Sequence, residues 1–268
     1  MSSAAIGIFD SGMGGLTVMR ALRARLPGED YIYLGDTARL PYGTKSADTV
    51  TRYAVQASAA LMHHGIKLLV VACNTASAAA LPALAETLAP LPVVGVIAPG
   101  AAAAVAAAPD GPIAVIATEG TVKGGAYVRA IQALAPHMPV VQQAAPLFVA
   151  LAEEGLRDGP LPELAAQRYL GPLLATVPRP RGLVLGCTHF PVLKEVIAQV
   201  AGPEVTLIDS AETTAAAVET VLRERNLLND KGGSSRFLAT DAPGRFAHLG
   251  QIFLGEPIDP GSVTLVDL

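Results

Sequence analysis

The sequence predicts an α/β fold: two similar three-layer α/β lobes with mainly parallel sheets, pseudo-two-fold related, with an active site in the cleft between them. Three observations carry that expectation. Short apolar runs alternate with longer stretches of helical periodicity along the 268 residues, the pattern of parallel βαβ units. The segment IGIFDSGMGGLTVMRAL from Ile6 matches IAVIATEGTVKGGAYVRAI from Ile113, with Gly12 on Gly120 (120 − 12 = 108) and Arg20-Ala21 near Arg129-Ala130. The only two cysteines, Cys73 in VVACNTAS (70–77) and Cys187 in LVLGCTHF (183–190), each end an apolar stretch and lie 187 − 73 = 114 apart. A diverged tandem duplication accounts for these features and sets corresponding strand ends face to face.

In chain order, residues 5–9 read as a first buried strand, followed by the turn Asp10-Ser11-Gly12 and the pair Gly14-Gly15. A helix over about 16–26 stops before Pro27-Gly28. Residues 31–34 form a second strand that ends in GDTARLPYG (35–43), a loop rich in turn formers. A helix over 47–64 leads through Gly65 into a strand at 67–72, and the helix after Cys73 runs from about Thr75 to before Pro90. The second half restarts the pattern with a strand at 113–117, a turn at 118–121 and a helix over 122–134. After Cys187 come a strand at 205–209, a helix at 212–224 and a late strand at 236–239. GVIAPGA (95–101) and LIDSAET (207–213) stand at matching distances after the two cysteines and read as crossings between lobes. The expected division is therefore 1–98 with 208–268 for the N-terminal lobe, and 99–207 for the second. Whether helix 214–224 packs on the first lobe or on a partner chain stays open.

Composition narrows the function classes. Hydrophobic residues make up 51% and charged residues 16%, enough apolar material for buried sheets. Aromatics are 4% and Trp is absent, which argues against stacking platforms for single-stranded nucleic acid. A net charge of −4 gives no basic footprint for nucleic acid or anionic membrane. Apolar runs such as 66–72 fall far short of the ~20 residues that span a bilayer. MSSAAIGIFDSG lacks the charged start of a signal peptide. Two cysteines make no disulfide framework, so a reduced, cytoplasmic setting is expected.

Ligands of open parallel sheets bind beyond the carboxyl ends of the strands. Four such ends carry polar groups: Asp10-Ser11, Tyr42-Gly43 after a loop, Cys73-Asn74-Thr75 and Cys187-Thr188-His189. Helix starts after Ser11, Thr75 and Thr188 offer unpaired N–H groups suited to carboxylates. Thr75 and Thr188 also suit N-caps, the more ordinary use of such hydroxyls. A lone Cys ending an apolar strand is ordinarily a small core residue. Two at duplicated positions, each ahead of a helix start that lowers a thiol pKa, point instead to function. Thiols on opposite faces of a carbon acid remove a proton from one face and deliver one to the other, which inverts a stereocentre. Asp10 closes the first strand, where a buried acid needs donors. Glu153, in LFVALAEEGL, stands at a helix end or loop where an exposed charge is ordinary. His189 is two residues from Cys187, whereas His63, His64, His137 and His248 occupy ordinary helix or loop contexts. A metal held by the cysteine pair and a disulfide joining it stay as alternatives. The first is weakened by zinc's need for four ligands, the second by the reduced setting.

The motifs DSGMGGLTV, GDTARLPYGTKS, ACNTASA, TEGTVKGGAY and LGCTHFPVL, in this order and spacing, resemble glutamate racemases of the aspartate/glutamate racemase superfamily over about residues 6–214. Each motif alone is weak; the five together are specific, and none departs from the family pattern. The resemblance implies interconversion of L- and D-glutamate between two α/β lobes, with neither pyridoxal phosphate nor metal. It implies Cys73 and Cys187 as the acid/base thiols, Cys73 taking the α-proton of D-glutamate and Cys187 that of L-glutamate. Asp10, Glu153 and His189 would be their tuning partners. Asp10, Ser11, Pro41, Tyr42, Gly43, Asn74, Thr75, Thr118, Thr121, Thr188 and His189 would hold the substrate. It further implies a cytoplasmic homodimer that works on a small molecule, without cofactor, nucleic acid or membrane, and supplies D-glutamate for peptidoglycan. The short N-terminus lacks the extension that confers activation by a cell-wall precursor in some relatives, so that regulation is not expected.

The chemistry is consistent with that resemblance. An amino-acid α-proton is a very weak acid and a thiolate a poor base for it. Removal becomes feasible when fixed donors surround the substrate carboxylate as negative charge develops. No Lys stands in a context that marks a Schiff base. The competing readings are another amino-acid racemase of the superfamily, such as one for aspartate, a non-catalytic amino-acid- or partner-binding relative, and a thiol-redox protein. The intact cysteine pair speaks against the second, and the long separation without C-x-x-C against the third.

Overall fold

The computed structural model describes residues 4–268; residues 1–3, where the first lobe and the stretch read against a signal peptide begin, lie outside the described residues. In chain order the elements are β1 (Ile6–Asp10), α1 (Leu16–Arg25), β2 (Tyr31–Gly35), α2 (Ala47–Met62), β3 (Leu68–Val71), α3 (Asn74–Thr87), β4 (Val93–Gly95) and α4 (Ile97–Ala107). They continue with β5 (Ile113–Ala117), α5 (Glu119–Gly124), α6 (Ala126–Leu134), β6 (Val140–Ala144), α7 (Leu147–Glu153), α8 (Pro160–Leu174), β7 (Gly182–Gly186) and α9 (Lys194–Ala201). The chain closes with β8 (Thr206–Asp209), α10 (Ser210–Glu224), β9 (Ser235–Ala239), α11 (Pro243–Leu254) and β10 (Val263–Leu265).

These strands form two sheets, ordered β10-β9-β2-β1-β3-β4 and β6-β5-β7-β8. Every pairing among the described residues is parallel. The second sheet repeats the β2-β1-β3-β4 order of the first, so β5 stands where β1 does and β7 where β3 does. The two cysteines follow those equivalent strands, β3 and β7, which is the topological form of the duplicated sequence. β9 and β10 then extend the first sheet beyond β2.

Alternation along each strand divides the apolar side chains between two faces. Ile6, Ile8, Tyr31 and Tyr33 pack with Leu16, Met19, Leu22 and Phe253, whereas Phe9, Ile32, Leu34 and Val71 pack with Val50, Ala54, Leu61 and Leu84. In the second sheet Ala114, Ile116, Leu183 and Leu185 face Phe148, Leu170, Phe190 and Ile197. The opposite face, with Ile113, Val115 and Val184, belongs to the same core as Ile6 and Leu16. One apolar core therefore joins the two sheets through α4 and α10. Val218 and Leu222 of α10 are fully buried against this core, and α10 lies along α1, which settles the position of the helix at 214–224.

Local chemistry moved two helix boundaries. The turn expected at 118–121 is the start of a helix, because the Thr118 hydroxyl accepts the Thr121 N–H at 3.4 Å and caps it. The helix expected over 122–134 is broken at Gly125, which adopts φ +60° and ends α5 before α6 begins. The lobe boundaries expected at 98/99 and 207/208 fall inside α4 and β8. The chain changes sheets between β4 and α4, and again at the junction of β8 and α10.

Candidate active site

A cavity of about 260 Å³ opens at the carboxyl ends of the strands, between the two sheets. Its wall includes Ser11 after β1, Pro41, Tyr42 and Gly43 from the loop after β2, and Cys73, Asn74 and Thr75 after β3. From the second sheet come Thr118 after β5, Glu153 at the end of α7, and Cys187, Thr188 and His189 after β7. Both cysteines are free thiols, and both face this cavity.

Cys73 occupies the N-cap position of α3, where its Sγ accepts the Ala76 N–H at 3.5 Å. Thr75, expected as the cap, is instead the second residue of the helix, because the chain enters α3 directly from Cys73. The Cys73 thiol donates to the Ser11 hydroxyl at 3.5 Å. Behind it Asp10 is fully buried, its carboxylate accepting the Gly12 N–H at 2.9 Å and facing the Thr188 hydroxyl at 3.5 Å. Burial raises the Asp10 pKa, although the charge of His189 and the surrounding N–H groups oppose the rise. The donors after β1 thus serve Asp10, and α1 begins only at Leu16. Burial, with the Asp10 charge, pushes the Cys73 thiol up to about 12. The expectation that a helix start lowers this pKa is corrected here: one N–H and one hydroxyl do not offset desolvation of a thiolate beside a carboxylate.

Cys187 has different company. Its Sγ lies 3.7 Å from Nδ1 of His189, whose Nε2 lies 3.1 Å from Oε1 of Glu153. Burial alone lowers the His189 pKa, but the hydrogen bonds to Cys187 and Glu153 and the charges of Cys187 and Asp10 outweigh it, lifting His189 to about 10. Glu153 is lowered despite burial, through His189 and the charge of Arg245. A protonated imidazole held by a carboxylate therefore faces Cys187. Thr188, the other expected cap, caps no helix: the segment after it forms a short 3₁₀ turn, Phe190–Leu193, before α9.

Contacts between the two sheets' strand ends fix the cavity. The Thr75 hydroxyl is 2.9 Å from that of Thr118, which is 3.0 Å from Thr121. Thr17 donates to the carbonyl oxygens of Gly14 and Thr188. Gly14 makes this approach possible, since a Cβ there would lie 2.5 Å from both His189 Nδ1 and Thr188 Oγ1. Tyr42 is oriented by donating its hydroxyl to Asp36, a buried carboxylate that also accepts from Arg39 (2.7 Å) and Thr240 (2.9 Å). Of the residues expected to hold a substrate, Asp10 and Thr121 lie behind the wall and the others line it. The sequence reading missed Gly12, Leu40, Thr44, Glu119, Pro146, Val149 and Ala150, all on the wall. Val149 precedes Glu153 by four residues and Ala150 by three, the spacing that puts them on one face of α7. Among the described residues no group of three or more His, Cys, Asp or Glu is arranged to hold a metal, and no helix is long and apolar enough to cross a membrane.

Comparison with known proteins shows the family and the architecture. A sequence profile for Asp/Glu/Hydantoin racemase matches residues 7–218. The chain belongs to this racemase family. Its relatives include the glutamate racemase of Geobacter metallireducens, 52% identical over 98% of this chain and 97% of that protein. Among solved structures, a glutamate racemase isoform from Bacillus anthracis superposes with a TM-score of 0.93 at 38% identity, covering 99% of this chain and 98% of the other. The Francisella tularensis glutamate racemase, solved with D-glutamate, gives 0.92 at 36% identity over 100% and 98%. Two mainly parallel sheets with helices on both sides are thus the architecture shared with these enzymes.

Proposed function

We propose that this enzyme interconverts L- and D-glutamate by direct proton transfer at Cα between Cys73 and Cys187, without a cofactor. The observation that carries the reading is the pair of free thiols at equivalent strand ends on one cavity wall, in a chain 52% identical to a protein named glutamate racemase. The substrate carboxylate is held by donors at the start of α3: the Asn74 side-chain NH₂, which is buried without a protein partner, and the hydroxyl of Thr75. Thr75 and Ser11 stabilise the charge that develops as the α-proton leaves, while Asn74 anchors the carboxylate alike before and during proton transfer.

With L-glutamate, a thiolate at Cys187 takes the Cα proton on one face while the His189 imidazolium stands beside the sulfur. The Cys73 thiol gives its proton to the opposite face of the carbanion. D-Glutamate leaves, with Cys187 now a thiol and Cys73 a thiolate, and reversal of the same steps runs D to L. Asp10 opposes charge on Cys73, so that Cys73 is the acid of the resting enzyme. By the same reading the enzyme is a cytoplasmic homodimer that supplies D-glutamate for peptidoglycan.

The decisive test is racemisation in heavy water. Product from either enantiomer should carry deuterium at Cα while unreacted substrate gains little, because the delivered proton comes from a solvent-equilibrated second thiol. Cys73→Ala and Cys187→Ala should each abolish net turnover, and dialysis against chelator and carbonyl reagents should leave wild-type rates intact. Product that kept its original hydrogen, or near-normal racemisation by Cys187→Ala, would refute the two-thiol mechanism.

A further inference from the structure

Tyr127, on α6 beneath the second sheet's strand ends, is fully buried and bonds across to the other lobe: its hydroxyl donates to Oδ1 of Asn74 at 2.8 Å. This is the only hydrogen bond of the Tyr127 hydroxyl among the described residues. Gly186 makes room for the ring, since a Cβ there would lie 3.0 Å from Cε2. Asn74 is 2% exposed, lines the cavity, and has an Nδ2 without a hydrogen-bond partner. An amide has two orientations. If Asn74 were flipped, the phenol would accept rather than donate, and its own proton would be buried unsatisfied, a cost of about 1–3 kcal/mol. The amide oxygen would then replace the unpartnered NH₂ and offer an anionic group no donor.

We propose that Tyr127 is a positioning residue: its hydroxyl fixes the Asn74 amide with the NH₂ group toward the cavity, as a donor to the carboxylate of an amino-acid substrate. The inference rests on the racemase reading above. The bond also spans the lobes, so the donor is set only when α6 and the start of α3 are in register. The Asn74 anchor serves ground and transition states alike, so its loss raises KM and leaves kcat nearly unchanged.

The test is Tyr127→Phe, which keeps the ring and deletes the donor, assayed with both enantiomers beside Asn74→Ala and the double variant. We expect Tyr127→Phe to raise KM about tenfold with kcat near wild type, and to add nothing in the Asn74→Ala background. An unchanged KM, or an equal further loss in the Asn74→Ala background, overturns the inference. Asn74→Asp decides the orientation even if Tyr127→Phe does not fold. It keeps an acceptor for Tyr127 but aims a second oxygen into the cavity, and should raise KM about a hundredfold; wild-type behaviour overturns the inference. Deuterium incorporation by the wild-type enzyme is measured on the same preparations. If it is present while KM does not respond, only the role of Tyr127 fails; if it is absent, the racemase mechanism fails first.

Discussion

Alkylation of the substrate-free enzyme should discriminate sharply between its two thiols. Cys73 is 5% exposed and Cys187 is 6% exposed, so access is nearly equal and ionisation decides the rate. With burial and Asp10 holding the Cys73 pKa at about 12, roughly one molecule in 10⁴ carries a Cys73 thiolate at pH 8. An unperturbed thiol at the ordinary value of 9.0 would be ionised in roughly one molecule in ten, so Cys73 is slowed about a thousandfold. Charge on Cys187 instead has the His189 imidazolium 3.7 Å away. Limited reaction with iodoacetamide between pH 7 and 9, followed by peptide mass spectrometry, should find label on Cys187 well before Cys73. The Cys73 rate should climb about tenfold per pH unit throughout that range. Equal labelling, labelling of Cys73 first, or a Cys73 rate that levels off near pH 8 would refute the electrostatic account of the two sites.

Three further outcomes follow from the packing and the charges. Gly14→Ala forces a Cβ to within 2.5 Å of His189 and Thr188; it should cost about 1–3 kcal/mol of stability and, by displacing His189, lower kcat about a hundredfold. Gly171→Ala, where nothing lies within 4 Å, is the control and should leave kcat unchanged. The His189–Glu153 pair should make stability pH-dependent. A His raised from 6.5 to about 10 contributes stability that is fully present below pH 6.5 and lost as pH rises through about 10. The melting-temperature gap between wild type and Glu153→Gln should therefore be wide at pH 6 and close by pH 10.5; a gap that widens with pH would contradict the pairing. Lys67→Met strands Glu29, which lies 2.5 Å from the Lys67 ammonium in a fully buried setting, and should cost about 3–5 kcal/mol in denaturant titration while leaving kcat/KM of the folded enzyme unchanged.

Patterns that repeat along the chain were readable before any coordinates. Short continuous apolar runs marked β1, β2, β3 and β5 to within a residue or two, because central strands of a parallel sheet are buried on both faces. The matching segments at Ile6 and Ile113 announced the repeated strand order, and the two cysteines, placed after equivalent strands, pointed to the cavity they share. Motif resemblance supplied Glu153, whose local sequence reads as an ordinary exposed acid. The helices carrying Val149 and Tyr127 were missed or misbounded, since LFVALAE is too short for periodicity to register and a Gly-Gly pair breaks the stretch at 124–125. The charge states lay further out of reach. A helix start beside each cysteine suggests a lowered pKa in both, yet burial and Asp10 raise that of Cys73, and the group beside Cys187 is the His189–Glu153 pair. Sequence determined which residues stand at the strand ends. Only the tertiary structure decided which of them are desolvated together, and electrostatic energies depend on that burial and distance in three dimensions rather than on separation along the chain.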